Sequence, residues 1–158
     1  MVFSSLLFIF GFLPLFLAAY YLTPQRGKNI TALAGSYLFY AWGAPGFVFV
    51  LVITAFIDYS ISKAFYHPRV TAKKRKMLLI LSLSMNLGLL GYFKYSNFIV
   101  EQINTAAALV GMEHIPWSTV VLPIGISFFT FQEMSYVLDV YWQKVKPARA
   151  FTDFAMYL

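Results

Sequence analysis

The sequence predicts an all-α fold, a polytopic bundle of about five transmembrane helices with one amphipathic helix on the membrane surface. Two observations carry that expectation. Hydrophobic residues make up 60% of the chain and charged residues only 11%, whereas a soluble domain carries about 25% charged residues. So few charges cannot coat a water-facing surface. In addition, the apolar residues gather into separate runs, and most of the cations fall in the gaps between them. The 17 Phe and 11 Tyr suit a lipid-facing protein with aromatic belts at its interfaces.

Met1–Leu22 is apolar and uncharged. With no cation before the apolar stretch and a poor cleavage site at Ala18–Tyr20, it reads as a retained first span rather than a signal peptide. Thr23–Asn29 is a polar loop with Arg26 and Lys28. Asn29-Ile30-Thr31 fits the glycosylation pattern, but the neighbouring cations favour Asn29 as a helix cap on the cytoplasmic side. Ile30–Trp42, the turn signal at residues 43–46, and Phe47–Phe65 read as a helical hairpin with a short or irregular first arm. Met77–Tyr95 is the fourth span. Asn97–Val110 carries Glu101, Gln102 and Asn104 and is expected to lie at the outer surface. Gly111–Thr119 is a polar loop, and Val120–Trp142 is the fifth span. Phe151–Leu158 opens a further apolar segment too short to cross a bilayer.

Topology follows from the cations. Lys63, Arg69, Lys73, Lys74, Arg75 and Lys76 stand together without an acid, and Lys144, Lys146 and Arg149 follow the fifth span. An outside N-terminus puts Arg26/Lys28 and both of these clusters in the cytoplasm, as the positive-inside rule requires. The net charge of +6 therefore speaks for membrane orientation and not for nucleic acid. The chain contains no Cys, which excludes disulfides, thiolate metal sites and a cysteine nucleophile within it. No phosphate loop, dinucleotide fingerprint or zinc motif appears, and no metal site is expected.

Polar residues inside the spans carry what chemistry can be read. Gln132, Ser135, Tyr136 and Asp139 follow i, i+3, i+4, i+7 spacing and share one helical face. An amide and a carboxylate facing lipid are costly, so such a face meets a cavity or a partner. Interhelical hydrogen bonding accounts for the same pattern, and the residues alone leave both readings open. Glu133 lies about 100° off that face. Thr54, Asp58 and Ser62 form a second stripe, where Asp58 is expected to be water-exposed or paired with Lys63. Ser82 and Asn86 read as packing. His67 and His114 both fall in loops, away from the polar face.

Several segments resemble the alginate O-acetyltransferase branch of the membrane-bound O-acyltransferase family. They are Met1-Val2-Phe3-Ser4-Ser5 with Phe8 and Phe12-Leu13-Pro14, then Ser36–Trp42, Gly91–Tyr95, and above all Leu122-Pro123-Ile124-Gly125-Ile126-Ser127-Phe128-Phe129-Thr130-Phe131-Gln132 with Ser135-Tyr136 and Asp139-Val140-Tyr141. The resemblance implies a multi-pass protein of the plasma (inner) membrane. Such a protein transfers an acyl group, often acetyl, from acetyl-CoA or another acyl thioester to a hydroxyl of an exported polysaccharide such as alginate. The thioester is a substrate and no bound cofactor is expected. Expected partners are the bilayer, the acyl donor, and a polysaccharide acceptor reached through other exopolysaccharide-modification proteins.

The family's general base is a membrane-embedded His, a residue suited to that task by its pKa. Neither His67 nor His114 matches it. Residues 1–158 are therefore expected to form the N-terminal part of a single domain, truncated before the catalytic region and inactive alone. Within it, Gln132, Ser135, Tyr136 and Asp139 are the candidate cavity-lining residues. A transporter or channel subunit, or a non-catalytic membrane assembly protein, would show the same composition. An acyltransferase reading frame should continue into more spans and a membrane His, whereas a transporter should repeat its first half.

Overall fold

A computed structural model describes residues 6–25, 27–43, 45–109 and 111–158. The readings placed on Met1–Ser5, Arg26, Ala44 and Val110 lie outside the described residues. The fold is all-α, with no strand among the described residues. A π-helical turn, Phe8–Phe12, leads into α1 (Leu13–Leu22), followed by α2 (Lys28–Gly43), α3 (Pro45–Ala64), α4 (Ala72–Leu109), α5 (Ile126–Tyr141) and α6 (Phe151–Tyr157). Among the described residues, α3 and α4 are long and apolar enough to cross a bilayer. The other three expected spans are shorter: Phe8–Leu22, and 16 residues each in α2 and α5. At 1.5 Å per residue, 16 residues reach only about 24 Å.

Local sequence explains the entry into the bundle. Pro14 has no N–H and its ring crowds the carbonyl four residues back. Just before it, the Leu13 N–H bonds to Phe8 O, five residues back, which is the π pattern. Phe12 and Phe16 stack at 6.0 Å between ring centres, and Phe39 of α2 packs against Phe8 and Phe12. Gly35 admits the Phe16 ring, since a Cβ there would lie 2.3 Å from it. Asn29 sits inside the first turn of α2 and so is not its cap. The first arm of the expected hairpin is short, at 16 residues, but a regular helix, with Pro45 supplying the preorganised first residue of α3.

Two element boundaries also differ from those expected. Met77–Tyr95 and Asn97–Val110 are not separate elements: α4 runs unbroken for 38 residues, about 57 Å, well beyond the ~30 Å hydrocarbon core. A drop in hydrophobicity does not end a helix. Neither Pro nor Gly stands between Tyr92 and Leu109, and Ala106–Ala108 favour helix. Conversely, Val120–Trp142 is not one helix. Pro123 keeps its neighbour extended, Gly125 adopts φ 78°, and α5 begins only at Ile126.

Helices α3, α4 and α5 build the core in layers. One apolar cluster holds Leu51, Leu90, Ile126 and Phe129, and another holds Ile61, Phe65, Val137 and Val140. The order of these residues along the chain makes α3 and α5 run in the same sense and α4 run opposite. Between the two clusters lies a buried polar layer of Thr54, Asp58, Ser82, Asn86, Thr130 and Glu133. At one end of the bundle, the Arg75 guanidinium sits over the rings of Phe65 and Tyr141 and donates to Val140 O (3.4 Å) and Tyr141 O. A cation there also complements the negative end of α5.

Gly35→Ala should lower the stability of the full-length protein in detergent by about 1–3 kcal/mol, because a methyl must displace a stacked ring. Thermal unfolding followed by size-exclusion fluorescence measures this. Gly88→Ala, where a Cβ meets open space, should hold or slightly raise the midpoint, since alanine favours helix over glycine.

Candidate functional site

The four sequence-predicted residues do share one face of α5, but it is the face away from the buried polar layer. Gln132 is half-buried, and its Nε2 donates to Tyr157 O of α6. Ser135 is exposed. The half-buried Tyr136 hydroxyl accepts the Ala148 N–H at 2.8 Å, and its ring packs on Phe154 at 4.5 Å. Asp139 pairs with Lys144 at 3.4 Å, the lysine side chain being 63% exposed. Two shallow clefts flank this face. Tyr136 and Asp139 line one with Lys146 and Asp153, while Gln132 and Ser135 line the other with Ser127 and Phe131; Tyr157 reaches both.

The polar layer contains residues that the sequence pattern set aside. Asp58 is fully buried: its carboxylate accepts from Ser82 Oγ at 2.5 Å and from Asn86 Nδ2 at 2.6 Å. It is neither water-exposed nor paired with Lys63, whose ammonium instead donates to Arg149 O at 3.1 Å. Ser82 and Asn86 therefore hold a carboxylate as well as packing. Glu133 is also fully buried, and its Oε1 accepts from Thr54 Oγ1 at 3.1 Å. Its Oε2, with Ser62 Oγ, Thr130 Oγ1 and Asn86 Oδ1, has no hydrogen-bond partner among the described residues. The available signal was the spacing of Thr130 and Glu133 at i, i+3, a second polar face on α5 opposite the Thr54/Asp58/Ser62 stripe of α3.

A third cleft, of about 530 Å³, opens between α2, α3, α5 and α6. Its walls are mostly apolar, with Tyr37, Phe39, Tyr40, Phe128 and Phe129 among them. The Tyr37 and Tyr40 hydroxyls are buried without a partner among the described residues. Such a space suits an apolar or acyl group fixed by a few hydroxyls. His67 lies in the turn after α3, its Nδ1 accepting from Arg69 N at 3.3 Å, and His114 is exposed in the segment after α4. Among the described residues no His, Cys, Asp or Glu cluster could hold a metal ion.

Asn97 and Asn104 stand two turns apart on α4, and Asn104, counted among the polar residues of a surface helix, is instead buried. Asn97 donates from Nδ2 to Val120 O at 2.7 Å, and its Oδ1 accepts from Val120 N at 2.9 Å. Asn104 does the same with Ile115, at 3.1 and 2.8 Å. The side-chain amides thus pair with the backbone of a non-helical segment as a neighbouring strand would.

Removing the Asp58 carboxylate should be costly. Asp58→Leu leaves the buried Ser82 hydroxyl without its acceptor and one N–H of Asn86 unpaired, the other still on Ser82 O, at about 1–3 kcal/mol each, so folded full-length protein should fall sharply in membranes. Ser135→Ala should stay within about 0.5 kcal/mol of the parent. Comparing detergent-extracted monodisperse protein for the two variants checks both.

The chain aligns end to end with curated relatives. It is 41% identical over all 158 residues to a probable alginate O-acetylase AlgI of Pseudomonas syringae pv. tomato, covering 30% of that protein. It is 40% identical over all 158 residues to the corresponding protein of Pseudomonas putida, covering 33% of it. A peptidoglycan O-acetyltransferase of Helicobacter pylori is 32% identical over 148 residues, which is 90% of this chain and 27% of that protein. The chain thus spans about a third of the length of these relatives. No family model matches the chain, and no solved structure does. The resemblance carried by the Leu122–Gln132 motif therefore extends over the whole chain: it resembles an N-terminal portion of the alginate O-acetylases. Together with its apolar helices, this marks it as a membrane protein.

Proposed function

We propose that these helices form the N-terminal part of a membrane-bound O-acetyltransferase acting on an exported polysaccharide. The observation that carries the proposal is the end-to-end similarity to alginate O-acetylases, joined by a relative named for O-acetylation of peptidoglycan. In the reaction, a sugar hydroxyl attacks the carbonyl carbon of an acyl thioester. The hydroxyl proton passes to a general base, the C–S bond breaks, and the thiol leaves with a proton as the sugar ester forms. The donor is acetyl-CoA or another acyl thioester. The acceptor is alginate or a similar polymer, delivered through other exopolysaccharide-modification proteins. Neither histidine lies on a membrane helix, so the base comes from outside residues 1–158.

In this proposal the chain supplies the wall of the acyl-transfer cavity. The face of Gln132, Ser135, Tyr136 and Asp139 flanks open clefts in these helices, which supports a later segment or a substrate meeting it there. Five crossings of the inner membrane, with the N-terminus outside, complete the arrangement. The short helices α1, α2 and α5 would cross where neighbouring protein buries their ends or the bilayer thins. Contacts between the basic segments support this topology: Tyr66 Oη donates to Val145 O, and Tyr59 Oη and Lys63 Nζ both donate to Arg149 O.

Three measurements test the proposal. In the complete protein, Gln132→Leu and Asp139→Asn should keep normal membrane abundance and lose polysaccharide acetylation at least tenfold. Full acetylation in both removes the cavity-wall role, and lost abundance makes the face structural. A cysteine at Ala72, in a chain with no native Cys, should resist a membrane-impermeant maleimide in intact cells and react after lysis. Labelling in intact cells sinks the topology. The purified 158-residue chain should transfer no acetyl group to polysaccharide, and detectable transfer would overturn the need for a base from elsewhere.

A further inference from the structure

Four consecutive cations, Lys73 to Lys76, occupy the first turn of α4, and that turn contains no acid. Like charges three and four residues apart repel on a helix, and the positive end of the helix adds to the repulsion. Arg75 turns inward to the carbonyls of α5 and is thereby satisfied. Lys73 and Lys76 stay exposed, and neither forms an ion pair with a described residue. The second basic segment is tied alongside by the Lys63–Arg149 and Tyr66–Val145 hydrogen bonds, which deepens the positive field. The nearby acids do not relieve it. Asp139 is engaged by Lys144, and Asp153 accepts the Ala150 N–H.

The same helix changes character one turn on. Met77, Ile80 and Leu81 are 65%, 54% and 58% exposed, and helical spacing puts Met77 below Lys73 and Ile80 below Lys76. A soluble anion would meet only the cations. A molecule with an anionic head and apolar tails would satisfy both halves of this face at once.

We propose that the cationic first turn of α4 holds the phosphate of an anionic phospholipid between Lys73 and Lys76, with the lipid tails lying along Met77, Ile80 and Leu81. The site is separate from the face of α5 assigned to acyl transfer, so its test does not depend on that reaction. Clusters of Lys and Arg just cytoplasmic of a membrane helix attract anionic lipid in this way.

The test uses the full-length protein in nanodiscs of phosphatidylcholine with graded fractions of phosphatidylglycerol. Native mass spectrometry reads the lipid retained, and thermal unfolding reads the stabilisation. Phosphatidylglycerol should be retained preferentially and should raise the midpoint. Lys73→Gln with Lys76→Gln should cut that preference roughly tenfold without loss of abundance, because both side chains are exposed. Lys94→Gln, more than four turns further along α4, should leave the preference unchanged. Leu81→Asn should weaken retention while keeping the cations. Equal retention of the two lipids would overturn the proposal, as would an unchanged preference in the double variant. Equal stabilisation by inorganic phosphate in neutral nanodiscs would also overturn it, since the site would then read a free anion. A helix from elsewhere in the protein covering this face would abolish the preference and count against the proposal in the same way.

Discussion

The contact that organises this bundle is the Asp58 carboxylate held between Ser82 and Asn86. A carboxyl group at membrane depth is costly unless its oxygens are satisfied, and here both oxygens are. That requirement fixes the register of α3 against α4, because sliding either helix by one turn would leave a buried acceptor facing a methyl group. Thr54, one turn before Asp58, reaches Glu133 of α5 in the same layer, so a third helix is registered by the same stripe. Apolar clusters lie on either side of the layer. Apolar packing tolerates small slips, and polar geometry does not. The layer supplies specificity, while the clusters supply most of the favourable burial.

Arg75 extends that logic to the end of the bundle. One guanidinium closes the last carbonyls of α5, stacks against rings from α3 and α5, and belongs to the first turn of α4. Lysine could not do this, because it lacks the planar fork and the flat face that lies on an aromatic ring. The three helices are thus joined near their middle by carboxylate hydrogen bonds and at one end by an arginine. Gln143 then turns the chain away with φ 62°, a conformation that costs a side chain some energy and is common just after a helix end.

Much of this was legible in the residues, and the failures have physical reasons. Composition identified helices in a membrane, and the apolar run at Phe47–Phe65 located α3 to within two residues because Pro45 and the basic turn bracket it. The clustering of cations anticipated that residues 63–76 and 144–149 share an end. What the residues left open was orientation about the helix axis. Helix α5 carries polar residues on two faces, and periodicity alone cannot say which one meets α3. Gln132, Ser135, Tyr136 and Asp139 share one face, and Glu133, about 100° off it, is the residue that turns into the layer with Thr54. Asp58 was misplaced because a nearby lysine suggests an ion pair, whereas its true partners stand 24 and 28 residues away on the next helix. The unbroken length of α4 was hidden by a change in polarity that carries no backbone signal.

The amide pairs of Asn97 and Asn104 have a consequence for the segment they hold. Its shape at Ile115 and Val120 is set by main-chain atoms bonded to the long helix, joined there by the Trp117 indole N–H on Asn97. Pairing through the backbone is indifferent to what stands at each position. Glu113, His114 and Ser118 are therefore free to be exchanged without unseating the path of the chain. A strip with a fixed course and replaceable lettering lets one scaffold present different surfaces while its helices stay the same.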